Sequence, residues 1–438
     1  MFEFLRKIIA LDSPLRVTYH YIRGVIAFWI SGNPAQDMIV IGVTGTKGKT
    51  TTTNLIAQWL QKAGKKVAMF STVNISINGV IADNNMKMTT PSPFFLWKWL
   101  REARSAGCEY AIIETSSHAL FYHRVHGLRY DGAVLTNISQ DHLDLHKTMD
   151  NYVNTKLQLF RNLYRNGIKK WVRKIGVVNI DSEYSDRFLT QDIVVDNLYT
   201  VGFSASAQIR AMNVTNTEFS TEFDVRIPSK QFHLTSRLPG NFNVSNILCA
   251  VAVLMSQKID VPTIQALITE FACVPWRLEE VSNTLGAKIY IDYAHTEESL
   301  RSVLDTLRQM KTTKRIITVF GATGDRDRTK RPKMGKVVDT MSDIILLTDD
   351  DTYTEDSLQI IREVTEGISR NEGDRFWIIP SREDAIRTAL IMLQPGDVLI
   401  VAGKWAETVQ VTQHWPIPWN DRTVTEKILM EIAAQVIV

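Results

Sequence analysis

The chain has 438 residues, of which 45% are hydrophobic and 22% charged, with a formal net charge of +3. At ~150 residues per domain this length supports two or three domains with ample core, and the near-balanced charge excludes a composition built for nucleic acid. The cysteines, Cys108, Cys249 and Cys273, lie far apart with no CxxC spacing, which excludes a zinc ribbon or a disulfide framework and suits a reducing, cytoplasmic setting; no apolar run reaches transmembrane length.

Residues 1–37 interleave Arg6, Lys7, Arg16 and Arg23 with Phe4, Leu5, Ile8, Ile9, Tyr19, Tyr21, Ile22 and an apolar run over 24–30. No small-residue cleavage site follows, so a signal peptide is not expected. The favoured reading is a helical lead-in packed on the first domain. The alternative is an amphipathic helix making weak membrane-surface contact.

The segment 38–63, MIVIGVTGTKGKTTTTNLIAQWLQKA, carries the strongest signal. Met38–Val43 reads as a buried strand, and Leu55, Ile56, Trp59, Leu60 and Ala63 form one face of a helix. Between them, Gly45 and Gly48 let the backbone turn its N–H groups toward phosphate oxygens, and the helix N-terminus adds partial positive charge. Lys49 can reach terminal phosphates and the Thr50 hydroxyl can ligate Mg²⁺. The strict P-loop pattern asks for glycine five residues before Gly48, and Val43 stands there. The flanking strand and helix still predict a nucleotide triphosphate site.

Further strands are expected at Lys66–Ser71, Tyr110–Ile113, Gly132–Thr136 and Ile175–Ile180, with helices such as Pro93–Ala106 between them. Alternation of this kind predicts a parallel sheet with ligands at the strands' carboxyl ends. Short alternating segments over about 198–236, such as Phe223-Asp224-Val225-Arg226-Ile227, predict a small β insertion, and Asn246–Met255 returns to helix. Pro275-Trp276 reads as a hinge. Strands at Lys288–Asp292, Arg315–Phe320, Ile344–Thr348, Phe376–Ile379 and Val398–Val401, with helices at Glu298–Gln309 and Arg382–Leu393, predict a second α/β unit. The expected class is α/β: a lead-in over 1–37, a P-loop parallel-sheet ATPase domain with a β insertion over 38–277, and a Rossmann-like α/β domain over 278–438.

Polar clusters follow the strands. Glu114-Thr115-Ser116-Ser117-His118 supplies a carboxylate facing the phosphate loop, which suits a hard cation. Asn137 through Asp144, with Asp141-His142, follows the next strand, and Lys156 sits in a helix over Tyr152–Phe160, where a lysine is ordinarily solvated. In the second unit, Asp292-Tyr293-Ala294-His295, the glycine- and cation-rich run 321–331, and Gly403-Lys404-Trp405-Ala406-Glu407-Thr408 end successive strands. The middle run suits an anion.

These motifs in this order resemble the Mur ligase family of ATP-dependent amide-forming ligases, and among them the third-residue, MurE-type members. The resemblance covers about 38–425 and rests on GVTGTKGKTTT at 42–52, TTPS at 89–92, ETSSHAL at 114–120, TNISQDHLDLH at 136–146, LPGNFNVSN at 238–246, WRLE at 276–279, DYAHT at 292–296 and GDRDRTKRP at 324–332. It implies ATP binding by Gly45, Thr46, Lys47, Gly48, Lys49, Thr50, Thr51, Asn243, Arg277, Asp292 and Lys330. It implies two Mg²⁺ ions held through Thr50, Glu114 and His142, supported by a carbamate on Lys156. It assigns the acceptor to Thr89, Thr90, Ser116 and Arg124. Catalysis then falls to Lys49, Lys156, His142 and Glu114, through an acyl phosphate, with release of ADP and phosphate. The implied substrates are a muramoyl-L-Ala-D-Glu-type acceptor and a free amino acid, in peptidoglycan precursor synthesis.

Two departures qualify the resemblance. The span 1–37 is too short for the family's uridine-binding domain, which leaves an acceptor with UDP, with a lipid, or with neither. Diaminopimelate-adding members carry Asp-Asn-Pro-Arg, whereas this chain reads Asp349-Asp350-Asp351-Thr352-Tyr353-Thr354-Glu355-Asp356 with no arginine. An acidic pocket of Asp349, Asp350 and Asp351, with Glu407 holding the amino group, favours lysine or ornithine; the bland alternative is a solvated acidic loop. Competing functions are a folylpolyglutamate-synthase-like ligase and a non-catalytic nucleotide-binding regulator.

Overall fold

The computed structural model describes residues 11–84, 86, 88–165, 169, 172–216, 220–271, 278–310, 313–404 and 409–436. It divides into two compact units, one of 1–215 with 220–272 and one of 216–219 with 273–438.

The first unit opens with helix α1 (Pro14–Ser31), started by proline and stopped at Gly32 in the left-handed conformation. Strand β1 (Ile39–Thr44) leads through the glycine turn into α2 (Lys49–Lys62). There follow β2 (Val67–Phe70), the hairpin β3 (Asn74–Ile77) and β4 (Val80–Asp83), α3 (Pro93–Ser105), β5 (Tyr110–Glu114) and α4 (Ser117–Phe121). Then come β6 (Gly132–Leu135), α5 (Leu143–His146), α6 (Met149–Arg165), β7 (Ile175–Asn179), β8 (Asn197–Gly202), β9 (Ile209–Asn216), β10 (Thr221–Ile227), β11 (Lys230–Ser236), α7 (Asn241–Ser256) and α8 (Val261–Glu270).

One sheet runs β11-β10-β9-β8-β7-β6-β1-β5-β2-β3-β4. The strands from β8 to β2 are parallel, and β1, β5 and β7 are apolar along nearly their whole length because helices cover both faces. The segment expected to form a small β insertion is β-structured and extends this sheet: β8 pairs with β7, and β9 to β11 continue outward. The β3–β4 hairpin, turning at Asn78-Gly79 and absent from the expected elements, closes the other edge.

At the amino end of β1 and β6, Asp131 is buried between two buried lysines. Its carboxylate lies 2.6 Å from Lys169 Nζ and 2.8 Å from Lys174 Nζ, and accepts the Val40 N–H at 2.9 Å. The lysines also donate to the carbonyls of Met38 and Tyr130. This network ties the loop before β7 to the start of two central strands.

The second unit contains β12 (Glu279–Glu280), β13 (Lys288–Asp292), α9 (Glu297–Gln309), β14 (Ile316–Phe320), α10 (Lys330–Met341), β15 (Ile344–Leu347), α11 (Ser357–Thr365) and β16 (Phe376–Ile378). It ends with α12 (Arg382–Met392), β17 (Val398–Ala402), the hairpin β18 (Val409–Val411) and β19 (Pro416–Pro418), and α13 (Asp421–Val436). Its main sheet has the order β12-β13-β17-β14-β15-β16, all parallel except β12. Thr296 and Ser299 form a capping box at the start of α9. A buried, doubly bonded Arg382–Asp421 pair joins α12 to α13, at 2.8 and 2.7 Å. No helix among the described residues is long and apolar enough to cross a membrane.

Candidate active site

Strand β1 lies between β5 and β6, with Val43 beside Glu114 on one side and Val134 on the other. This order brings the polar segments after all three strands to one edge. The phosphate loop occupies the middle of it. Gly48 caps α2 at φ +74°, and a Cβ there would come within 2.1 Å of Asn246 Oδ1. A Cβ on Gly45 would meet Thr136 Oγ1 at 2.0 Å. Glycine is therefore required at both positions for conformation and for space.

Asn137 grips the loop from β6, accepting the Lys47 N–H at 2.9 Å and donating to the Lys47 carbonyl at 3.0 Å. Thr46 is set by Ser139 and by the Tyr152 hydroxyl at 3.1 Å, and Lys49 Nζ donates to the Thr46 carbonyl at 2.7 Å. Thr51 is buried in the first turn of α2.

At the start of α2, Thr50 Oγ1 donates to Glu114 Oε2 at 3.0 Å, and the Thr72 N–H reaches the same oxygen at 2.8 Å. Both side chains are buried. A buried hydroxyl and carboxylate beside a phosphate loop form a hard oxygen donor set that fits Mg²⁺, an ion that completes its shell with water and phosphate oxygens. Among the described residues no group of three or more metal-binding side chains is assembled.

Lys156 is buried, not solvated as such a helical lysine ordinarily is. Its Nζ donates to the Gly45 carbonyl at 2.7 Å and stands 4.5 Å from the Tyr152 ring centroid. Burial, then the nearby Lys49 charge, hold its pKa well below the usual lysine range. His142 precedes α5 at φ +54°, and its N–H donates to Asp141 Oδ1 at 2.9 Å. Its ring also sits 4.5 Å from that of His118, which lies 6.1 Å from His146. Burial, followed by the neighbouring histidines, pushes the His118 pKa down to about 3; burial, followed by Lys156, pushes His146 to about 4.

Thr90, Ser116 and Arg124 meet next to this group. Thr90 Oγ1 lies 3.3 Å from Ser116 Oγ and accepts the Ser116 N–H at 3.1 Å, while Arg124 donates to the Thr90 carbonyl at 3.1 Å. Thr89 precedes this contact in the same bend. Asn243 is buried in the first turn of α7, donates to the Pro239 carbonyl at 2.8 Å and accepts from Asn246 at 3.3 Å.

Sequence reasoning gave no role to Asn246, Asn137 or Tyr152, although all three touch or brace the phosphate loop. Asn246 lies in the LPGNFNVSN motif and Asn137 directly follows β6, so position was the available signal. Tyr152 had none, because its hydroxyl reaches the loop only through the packing of α6.

In the second unit, Asp292 ends β13 and accepts the Leu278 and Ala294 N–H groups, each at 2.8 Å. Lys330 begins α10 and donates to the His295 carbonyl at 3.2 Å. The cation-rich run is less open to an anion than its composition suggested. Arg331 is buried and paired with Glu355 and Glu363, and Arg328 also pairs with Glu363.

The acidic run is not a solvated loop. Asp350 and Asp351 are buried against buried Lys404, whose Nζ is 3.5 and 2.6 Å from their carboxylates. Although burial raises the Asp350 pKa, Lys404 and Arg382 bring it below its ordinary value. Asp349 accepts from Ser357 at 2.5 Å, and burial raises its pKa. Much of the negative charge is thus balanced in place. Arg277 and Glu407 lie outside the described residues.

The chain matches the Mur ligase middle domain over residues 43–254 and the Mur ligase glutamate ligase domain over 276–405. It is 36% identical over 403 residues to a UDP-N-acetylmuramoyl-L-alanyl-D-glutamate–2,6-diaminopimelate ligase of Clostridium botulinum, covering 92% of this chain and 80% of that protein. A ligase of the same name from Geobacillus kaustophilus is 36% identical over 407 residues, covering 93% and 82%. A solved structure of a ligase of that name superimposes with a TM-score of 0.65 at 26% identity, covering 94% of this chain and 83% of that one. The fold is shared with folylpolyglutamate synthase of Mycobacterium tuberculosis, with a TM-score of 0.71 at 15% identity, covering 88% and 92%. With both domains matched in order and such identity sustained along its length, the chain belongs to the Mur ligase family, as an ATP-dependent ligase of the MurE type.

Proposed function

We propose that this ligase adds a diamino acid to the terminal carboxylate of a muramoyl-L-Ala-D-Glu acceptor. One observation carries the reading: Glu114 belongs to both halves of the site. Its side chain accepts from Thr50 of the phosphate-loop helix at 3.0 Å, and its backbone carbonyl accepts from Thr90 of the acceptor cluster at 2.9 Å. The residues assigned to the phosphate donor and those assigned to the carboxylate acceptor are thereby linked through one buried residue, which supports reading them as one site where the two reacting groups meet.

A carboxylate is a poor electrophile. The acceptor oxygen attacks the terminal phosphate of ATP, ADP leaves, and an acyl phosphate forms. The amine of the incoming amino acid attacks its carbonyl, and the tetrahedral intermediate expels phosphate as the amide forms. Lys49 and the loop N–H groups oppose the phosphate charge, with Thr46, Lys47 and Thr51 lining the same loop. Thr50, Glu114 and His142 would hold Mg²⁺, which supplies further charge neutralisation when bound. Lys156 is the position for a carbamate: its buried amine, with its pKa held well below the usual lysine range, would add to CO₂ with loss of a proton, and the resulting carbamate would offer oxygen ligands where the amine stood. Asn243, Arg277, Asp292 and Lys330 are assigned to ATP, and Thr89, Thr90, Ser116 and Arg124 to the acceptor.

For the amino acid, the absence of arginine from 349–356 favours lysine or ornithine, with Asp349 and Glu407 as its contacts. The diaminopimelate named in the relatives is the alternative. The test is intact-mass detection of product from ATP, Mg²⁺ and UDP-muramoyl-L-Ala-D-Glu with each of the three amino acids. A lysine or ornithine adduct is expected. A diaminopimelate adduct alone overturns the pocket assignment, and no adduct with any of them overturns the acceptor.

A further inference from the structure

Helix α1 is apolar on two sides, and packing uses only one. Its inner side is pinned to the first unit. Gly24 lies so close to the His123 carbonyl that a Cβ would approach it to 2.6 Å. Phe28 sits 5.5 Å from the Trp97 ring, and the Tyr21 ring meets His123 and His126 edge-on at 5.2 and 5.1 Å. The Tyr122 hydroxyl donates to the Leu11 carbonyl at 2.7 Å just before the helix.

The outer side is a second stripe: Leu15, Tyr19, Ile22, Ile26, Trp29 and Ile30. Their spacing follows the helical period, so they line one face along a helix about 27 Å long. Each is between 45% and 78% exposed. The inner contacts prevent the helix from rolling to bury this stripe.

We propose that this stripe is a membrane-interface element that seats the first unit on an anionic phospholipid surface. The chemistry selects that occupant. Tyrosine and tryptophan with aliphatic side chains on one helix face suit the boundary between headgroups and acyl chains. The helix contains Arg16 and Arg23 and no Asp or Glu; Arg16 stands 5.8 Å from the Tyr122 ring on the packed side, and Arg23, at the border of the stripe, supplies the charge that complements anionic headgroups. The Arg23 guanidinium stands 5.5 Å from the Tyr19 ring and 5.7 Å from the Phe94 ring, at the border of the stripe. A second copy of the chain fits less well. A two-fold axis through the middle of the stripe, at Ile22, sets Arg23 against Arg23. The helix lies on the surface and does not span, since no described helix has the length and apolarity to cross.

The test is flotation of the full chain with vesicles of phosphatidylglycerol and phosphatidylcholine, with phosphatidylcholine alone as the neutral arm. The chain is expected to float with the anionic vesicles and to partition roughly tenfold less onto the neutral ones. Brominated lipid is expected to quench tryptophan fluorescence, and Trp29→Phe to remove that quenching while retaining flotation. Ile22→Glu combined with Trp29→Glu is expected to lower partitioning by roughly a hundredfold while leaving thermal unfolding and ATP turnover unchanged. The proposal is overturned by failure of the wild-type chain to float, by undiminished flotation of the folded double variant, or by quenching that Trp29→Phe does not reduce. Concentration-dependent dimerisation that the double variant abolishes also overturns it, by assigning the stripe to a second copy.

Discussion

Lys156 is the residue whose character changed most between sequence and structure. A lysine on an amphipathic helix ordinarily reaches water, yet this one is buried and bonded to the Gly45 carbonyl, and burial, then Lys49, hold its pKa well below the usual lysine range. Lys156→Ala is expected to lose ligase activity and regain part of it with added short carboxylates, measured as ADP release; wild-type turnover without additive would rule out the carbamate. His146 is neutral for a related reason. It is buried, and its Nε2 has no hydrogen-bond partner among the described residues. Its pKa is lowered to about 4, so below pH 6.5 the unfolded chain takes up a proton that the folded chain refuses. The stability gained from keeping it neutral is complete above pH 6.5 and falls as the pH drops toward 4. Unfolding in urea is expected to show about 2 kcal/mol less stability at pH 5 than at pH 7 from this group, a difference that His146→Phe flattens. An unchanged pH slope in that variant would mean that other groups carry it.

At the scale of elements, strand order does the assembling. Placing β1 between β5 and β6 sets the phosphate loop, Glu114 and Asn137 side by side, and the amino end of the same strands is locked by Asp131 between Lys169 and Lys174. Asp131→Ala leaves both lysines buried without their counter-charge and is expected to cost about 3–5 kcal/mol, read from chemical denaturation. A loss under 1 kcal/mol would show that water reaches the site. The individual strands and helices were legible in the sequence because parallel strands buried on both faces are continuous apolar runs and because glycine punctuates the turns. The β3–β4 hairpin was missed because its strands are only four residues each, although Asn78-Gly79 between them, both at positive φ, is a hairpin-turn signal in the sequence. The continuity of β8–β11 with the main sheet was not legible, because pairing between strands is a long-range choice that alternation within a strand does not record.

At the scale of the molecule, the two units each place polar loops at the carboxyl ends of a parallel sheet, and the described residues hold a single phosphate loop of the Gly48-Lys49-Thr50 type. Lys49→Ala is therefore expected to abolish ADP release and amide product together, by at least roughly a hundredfold; product formation at the normal rate would remove the loop from the reaction. The sequence by itself determined the α/β class, the phosphate loop and the family, because glycine geometry, apolar runs and ordered motifs are local properties of the chain. Only the tertiary structure decided that Lys156 is buried, that Asp350 and Asp351 are neutralised by Lys404, that Arg331 binds glutamates of its own unit, and that α1 keeps an apolar face outward. Each of these depends on which distant side chain supplies the counter-charge or the cover, and such partners are chosen by packing between elements far apart in sequence.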